Sequence, residues 1–243
     1  MKTEKIEEVL YRIVSVRVGT EAGWFNNQCA ELKSSDVESD LHLYLGFVPR
    51  KLGKADLDPT PDEAAAVKDA YDGWSVDNWS IDVAARIYGL LVFKPQRPFA
   101  DMFKDLRRTS DAAEMIALYC GLALYPKPQS LAFEVGEGLR SNLRPVFEAI
   151  CHHNPYPRDH FDEHRWNHMI LKALFVGSEL SPILGLRERA NRELARILVD
   201  YAAERHAAGR PITEELWIPI EPFHTDPEIA ALLDRLGDAA PSF

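Results

Sequence analysis

Apolar residues recur every three or four positions along almost the whole chain, whereas stretches that alternate apolar and polar residues are scarce. A spacing close to 3.6 residues is typical of α-helices that bury one face. The clearest helix spans about 190–208, where Leu194, Ile197 and Tyr201 share one stripe and Gly209 ends the pattern. The pattern therefore predicts an all-α fold.

Signals for helix starts and stops divide the rest of the chain into short helices. One helix begins after Ser80 and ends near Phe93, before a Lys-Pro break. Another begins at Asp111, where Glu114 completes a capping-box pattern. Short helices joined by short turns predict a multi-helix array of antiparallel helical hairpins, similar to a HEAT or armadillo superhelix, although no exact repeat is visible.

The same signals set the expected domain limits. We expect residues 1–243 to form a single all-α domain, because 46% hydrophobic residues can build a substantial core. Residues 46–78 are rich in Pro, Gly, Asp and Lys and predict a loop-rich insertion with one short helix from about Pro61. Residues 238–243 predict a mobile tail.

Composition narrows the possible environments and partners. The three cysteines form no CxxC pair, and no secretion signal is visible, so we expect a reduced, cytoplasmic location. The longest apolar runs fall far below the roughly 18 residues of a membrane-spanning helix, which predicts no transmembrane segment. A net charge of −10 argues against nucleic acid and anionic lipid as partners.

Three histidines follow a proline-rich entry in the segment 154–177. If Asp159 caps one helix there, His160, His164 and His168 lie along one side of it at four-residue intervals. His160, Glu163 and His164 also match the H-x-x-E-H pattern, in which two histidines bind zinc and the glutamate activates water. A motif without its context has a high false-positive risk, so interior or interface histidines are the more ordinary interpretation.

Asp82 and Arg86 are four residues apart on the predicted helix that follows Ser80. This spacing is typical of a structural ion pair across one helical turn. The alternative is that Asp82 holds the guanidinium of Arg86 as a ligand for a phosphate or carboxylate. The ion pair is the favoured interpretation.

Three further polar residues are candidates for binding. Arg140 precedes Pro145 in an apolar pattern, where a helix kink lined by polar groups could hold an anionic metabolite, although a bond to the adjacent loop is the favoured interpretation. Asn167 stands in mid-helix and needs partners if buried, which predicts that it ties helices together. Lys172 could act in acid–base chemistry, although a solvated lysine is the default. No GxSxG, P-loop or Rossmann fingerprint occurs.

Several longer phrases of the sequence resemble the EboA family in the order expected for that family. They are FVPRKLGKADL (47–57), WSVDNWSIDVAAR (74–86), FEAICHHNPYP (147–157), WNHMILKALFVG (166–177) and RANRELARILVDYAAERHAAGRPITEELW (189–217). The resemblance places Arg86, Asn154, Asn167 and Lys172 within shared phrases, which makes them better candidates for a shared site. The family phrase commonly has Gln at the position of His168 and lacks the other two histidines, which argues against a shared metal site.

The resemblance implies a gene cluster whose other products include a metal hydrolase, a prenyltransferase and sugar-converting enzymes. We therefore expect a helical accessory protein of a secondary-metabolite pathway or export system. It would bind a partner enzyme of the cluster, or a small anionic or prenylated metabolite, without a cofactor. The alternative is a pathway enzyme that combines His153, His164 or His168 with Asp82, Lys172 or a metal, with zinc as the alternative cofactor.

Overall fold

The structure is a computed structural model that describes residues 2–241 and 243. The predicted all-α fold is confirmed: these residues form thirteen α-helices and six short 3-10 helices, and none of them lies in a β-strand. The one bridge in this part of the chain joins Asp56 and Ser80. The chain divides into two compact units, residues 1–156 and 157–243.

The first unit contains the α-helices before the division. They are α1 (Lys2–Ser15), α2 (Ala22–Ser34), α3 (Glu38–Leu52), α4 (Pro61–Ala70), α5 (Ile81–Val92), α6 (Phe99–Thr109), α7 (Ala112–Cys120), α8 (Ala132–Leu139) and α9 (Arg144–Cys151). Helix α10 (Pro155–His160) begins at the end of this unit. Helix α5 is mostly apolar, and every one of its residues except Val83 is buried. Helices α1, α3 and α7 pack on it, so α5 is the centre of the core.

The second unit contains three complete α-helices. They are α11 (Glu163–Val176), α12 (Arg192–Ala207) and α13 (Pro227–Leu236). Each helix begins with a side chain that accepts a hydrogen bond from the first turn: Asp162, Asn191 and Asp226 respectively. Helix α12 packs against both α11 and α13.

The histidine segment does not form the single helix that the sequence predicts. Helix α10 ends at His160, and a new helix starts at Glu163 with Asp162, not Asp159, as its cap. Arg189 stabilises the break, because its guanidinium donates to the backbone carbonyls of Pro157 at 2.8 Å and Phe161 at 2.8 Å. A distant residue thus satisfies the carbonyl groups at the end of α10.

The predicted loop-rich insertion is more helical than expected. Helix α3 continues through Pro49 to Leu52, although α4 begins at Pro61 as predicted. The prediction of one domain for residues 1–243 stays a prediction, because compact units can belong to one folding domain. The superhelix and the mobility of residues 238–243 also stay predictions, and residue 242 lies outside the described residues.

Candidate functional site

The predicted ion pair between Asp82 and Arg86 is present inside the core of the first unit. Their exposed fractions are 2% and 3%, and Arg86 Nη1 lies 3.2 Å from Asp82 Oδ2. Ser80 donates from Oγ to the other carboxylate oxygen of Asp82 at 2.5 Å. Glu114 lies 3.9 Å from Arg86 Nη2. The guanidinium is therefore enclosed by carboxylates of the protein itself.

Arg86 also has a backbone partner that the sequence does not suggest. Its Nε donates to the carbonyl oxygen of Leu45 at 3.1 Å. In an uninterrupted helix the amide of residue 49 would donate to this carbonyl, but Pro49 has no N–H. Arg86 therefore satisfies a buried carbonyl that the proline leaves open.

The space beside Arg86 is too small for a metabolite. A cavity there is lined by residues of α3, α5 and α7 and by Ser110, which follows α6, and it has about 10 Å³ of space. This volume corresponds to about one water molecule. Asp82 and Arg86 thus hold the helices of the core together.

Asn154 is buried, and its amide joins three segments of the first unit. Its Nδ2 donates to the carbonyl of Tyr119 at 2.8 Å and to that of Ala149 at 3.0 Å, and its Oδ1 accepts from the amide of Tyr156 at 3.0 Å. Both protons of the amide and one side of its oxygen are therefore used within the protein. This arrangement fixes the chain between α9 and α10.

Asn167 ties two helices of the second unit together, as the sequence predicts. It is 4% exposed and makes a reciprocal amide pair with Asn191: the two N···O distances are 3.2 and 2.8 Å. Asn191 is the cap of α12 and accepts from the amide of Leu194 at 2.8 Å. The pair therefore connects the middle of α11 to the start of α12.

Arg140 and Lys172 are more exposed than the buried residues Arg86, Asn154 and Asn167. The Arg140 side chain is 73% exposed and forms an ion pair with Glu137 on the same surface. Because Arg86 is buried and Arg140 is exposed, these two arginines do not line one groove. Lys172 is half-buried on α11, and burial lowers the pKa of its ammonium group.

The histidines fall on separate helices. His164 and His168 are exposed on α11 with their ring centroids 4.2 Å apart, whereas His160 ends α10. Within residues 2–241 and 243, no group of three or more His, Cys, Asp or Glu side chains is arranged to hold a metal ion. The zinc hypothesis therefore has no preassembled ligand set to support it and stays a prediction.

His153 has an unusual backbone conformation that no sequence motif indicates. Its φ angle is +51°, in the left-handed region that residues other than glycine seldom adopt. Burial lowers the pKa of its imidazole, the neighbouring His152 lowers it further, and Asp77 acts in the opposite direction. The imidazole is thereby favoured in its neutral form.

A groove in the second unit is the feature that sequence reasoning missed. It lies between the end of α11, the end of α12 and the segment that follows α12, and its volume is about 400 Å³. We call it the α11–α12 groove. It is lined by Leu174, Phe175, Val176, Gly177, Ser178, Glu179, Tyr201, Arg205, Pro211, Ile212, Thr213 and Glu215.

Aromatic and aliphatic side chains form one wall of the α11–α12 groove. Phe175 is 66% exposed and meets Tyr201 edge to face at a centroid distance of 5.3 Å. The hydroxyl of Tyr201 donates to the carbonyl of Leu174 at 3.4 Å, which directs the ring. Gly177, with φ of +70°, ends α11 and turns the chain along the groove.

Arg205 is the one cationic side chain among the residues that line the α11–α12 groove. Its Nε and Nη2 donate to the carbonyl of Pro211 at 3.1 and 2.9 Å, and its guanidinium lies 6.0 Å from the centre of the Tyr201 ring. These partners fix the orientation of the guanidinium, and among the described residues no carboxylate forms an ion pair with it. Its positive charge therefore remains available to a ligand.

The groove also contains two carboxylates. Glu215 accepts from the amide of Leu180 at 2.6 Å, so part of its hydrogen-bonding capacity is used by the protein. Glu179 is exposed at the edge. These two charges disfavour an extended polyanion such as a nucleic acid and restrict a small anionic group to the vicinity of Arg205.

Comparison with known proteins gives one match. The sequence model of a family described as "Metabolite traffic protein EboA" matches residues 6–221, and the chain belongs to this family. No curated protein and no solved structure matches the chain. In the part of the chain that the structure describes, no helix is both long enough and apolar enough to cross a bilayer.

Proposed function

We propose that this member of the EboA family is an accessory protein that binds a small metabolite in the α11–α12 groove. The family description, which names metabolite traffic, supports binding and hand-over of a metabolite. The observation that carries the proposal is a groove of about 400 Å³ that combines an exposed aromatic wall with an oriented guanidinium. Pockets of 300–1,000 Å³ with an apolar lining and a few polar groups are typical of small-molecule sites.

The lining of the groove favours an amphiphilic ligand. An apolar segment would pack on Phe175 and Ile212, because both side chains expose apolar area beside Tyr201. One anionic group would bind Arg205, whose planar guanidinium suits a phosphate or carboxylate. A prenyl phosphate has this combination, in line with the prenylated intermediate expected for the pathway.

The position of the groove in the sequence also supports it as the metabolite-binding site. All of its lining residues lie between 174 and 215, inside the matched range 6–221. Two other depressions, of about 570 and 490 Å³, are lined by residues up to 243. Both include residues beyond the matched range, and both are lined by Pro241 and Phe243, the neighbours in sequence of residue 242, which is outside the described part of the chain.

The alternative function is a metal-dependent hydrolase that uses His160, Glu163 and His164. It receives less support, because His160 lies on a different helix from the other two residues. Native mass spectrometry of the chain purified without chelator separates the two functions. A stoichiometric zinc mass that disappears in the His164→Ala variant would favour the hydrolase.

Isothermal titration calorimetry with geranyl diphosphate tests the proposed function. Pyrophosphate and geraniol serve as matched probes, since each carries only one half of the amphiphile. We expect geranyl diphosphate to bind at least about tenfold more tightly than either probe, because both halves of the groove must be used. Equal binding of pyrophosphate and geranyl diphosphate would show that the apolar wall does not take part.

Variants of the groove make the test specific. Arg205→Gln removes the charge, and we expect it to weaken geranyl diphosphate binding about tenfold or more. Phe175→Ser removes the exposed ring and should have an effect of similar size. Phe133→Ser is the matched control, because Phe133 is 68% exposed on the first unit and should leave the affinity unchanged. Unchanged affinity in both groove variants would contradict the proposal.

A further inference from the structure

The outward face of helix α3 carries two large apolar side chains in solvent. Leu43 is 59% exposed and Phe47 is 44% exposed, although other residues of the same helix, such as Tyr44 and Val48, are completely buried. Arg50 lies over the ring of Phe47 at 5.9 Å. Two neighbouring apolar side chains on one exposed helix face are a candidate contact surface.

The exposed residues follow one stripe of the helix. Asp40, Leu43, Phe47 and Arg50 are separated by three, four and three positions, which is the spacing of a coiled-coil seam. All four residues are exposed. We call them the α3 seam.

The order of charges along the α3 seam is self-complementary. The seam begins with an acid, continues with two apolar residues and ends with a base. If α3 is placed antiparallel to an identical helix with the twofold axis at residue 45, Asp40 meets the Arg50 position and Leu43 meets the Phe47 position.

We propose that the α3 seam is a homodimer interface, in which α3 of two copies of the chain pairs antiparallel about a twofold axis. An isologous interface requires a surface that complements itself, and the seam meets this condition in both charge and apolar contact. Gly46 lies next to the axis, where a β-carbon would meet no atom within 4 Å, so a second helix can approach closely. The chain's net charge of −10 opposes association, which makes the two matched ion pairs important for orientation.

The length of the helix limits the strength of the proposed dimer. Helix α3 has 15 residues and is therefore about 22 Å long. One pair of helices of this length buries less than the roughly 1,600 Å² of a standard stable interface. We therefore expect a weak dimer whose fraction rises with protein concentration.

Sedimentation velocity of the full chain, over micromolar to near-millimolar concentration, tests the proposal with a charge swap. We expect the wild-type chain to show a reversible monomer–dimer equilibrium. Asp40→Arg and Arg50→Asp should each weaken dimerisation at least about tenfold, because like charges then face each other in both pairs. The double variant D40R/R50D restores opposite charges and should recover dimerisation.

Mixing the two single variants provides the sharpest result. The Asp40→Arg chain has a basic residue at both ends of the seam, and the Arg50→Asp chain has an acidic residue at both ends. A 1:1 mixture should therefore form a heterodimer, although neither variant dimerises alone.

Phe133→Asp is the control for an exposed aromatic residue outside the seam and should dimerise like the wild-type chain. Circular dichroism checks that each variant is folded. If Asp40→Arg is not folded, Leu43→Ser and Arg50→Ser replace the mixing experiment, and each should weaken dimerisation.

Three outcomes would overturn the proposal. They are a wild-type chain that stays monomeric over the whole concentration range, a dimer that the single variants leave unchanged, and folded single variants that do not form a heterodimer. Each outcome concerns residues of the first unit and leaves the proposed function of the α11–α12 groove unaffected. A failure of ligand binding in the groove would likewise leave the dimer proposal standing.

Discussion

The guanidinium of Arg86 occupies the hydrogen-bonding position that Pro49 leaves open. The missing amide of the proline frees the carbonyl of Leu45, and Arg86 Nε donates to it at 3.1 Å from the neighbouring helix α5. The opposite side of the guanidinium binds Asp82. A helix-interior proline in α3 and a buried arginine in α5 are thus two parts of one structural arrangement.

Replacing Arg86 should strongly destabilise the fold. Arg86→Met leaves the Asp82 carboxylate and the Leu45 carbonyl buried without the guanidinium, and we expect a loss of about 3–5 kcal/mol in the free energy of unfolding. Urea denaturation measures this loss. Arg140→Ala, at an exposed ion pair, is the control and should cost less than about 1 kcal/mol. A loss below 1 kcal/mol for Arg86→Met would contradict the structural role.

The relationship between Pro49 and Arg86 has its own test. In a Pro49→Ala background the new amide can donate to the Leu45 carbonyl, so Arg86→Met should cost about 1 kcal/mol less than in the wild-type background. A double-mutant cycle by urea denaturation measures this coupling. Independent, additive effects would show that the two residues do not share the carbonyl.

The amide pair between Asn167 and Asn191 should contribute to stability without contacting a ligand. Asn167→Ala leaves the side chain of Asn191 without its partner, and we expect a loss of about 1–3 kcal/mol in the free energy of unfolding. His168→Ala changes the next residue, which is exposed, and should have an effect within about 0.5 kcal/mol. Thermal denaturation compares the two variants, and equal effects would refute this assignment.

Low pH should destabilise the first unit, because Glu63 becomes protonated. Arg17 donates to both oxygens of this carboxylate, at 2.9 and 2.7 Å, and lowers the pKa of Glu63 from 4.5 to about 2. Because the folded pKa is below the unfolded one, the stabilisation is complete above pH 4.5 and is lost as the pH falls towards 2. We expect a loss of about 2 kcal/mol, allowing for solvent screening.

The Glu63→Gln variant isolates this contribution from that of other carboxylates. Its stability at pH 7 should already be lower than that of the wild-type chain, and the difference between the two proteins should shrink between pH 4.5 and pH 2. Urea denaturation at a series of pH values gives this difference. A difference that is independent of pH would rule out Glu63 as the source.

The fold was predictable where the signals are local. The capping box of Asp111 and Glu114, the helix start at Pro61 and the spacing of Asp82 and Arg86 all depend on residues within one helical turn, and the structure contains each of them. These features need no knowledge of distant contacts. Local sequence patterns were therefore sufficient to predict the all-α fold class and many of the helix starts.

The errors arose where a distant residue decides the local structure. The break after α10 is stabilised by Arg189, which donates to carbonyls some 30 positions earlier in the chain. The continuation of α3 through Pro49 depends on Arg86. In both cases an arginine satisfies backbone carbonyls that helical periodicity alone assigns to the helix or to solvent.

The candidate site was less accessible to sequence reasoning than the fold. The polar residues singled out by sequence included Arg86, Asn154 and Asn167, which are buried because they hold helices together. Phe175 and Arg205 gave no motif, since the groove forms only when the ends of α11 and α12 come together. An apolar residue at the exposed end of a helix was the only signal available, and it is a weak one.

The location of the bound ligand is the most direct test of a metabolite site in the α11–α12 groove. Photoaffinity labelling of the full chain with a benzophenone-bearing prenyl diphosphate, followed by peptide mapping, reports this location. We predict labelled peptides within residues 174–215, with labelling suppressed by excess geranyl diphosphate and reduced in Arg205→Gln. Competed labelling confined to other parts of the chain, or labelling that Arg205→Gln leaves unchanged, would contradict a metabolite site in the α11–α12 groove.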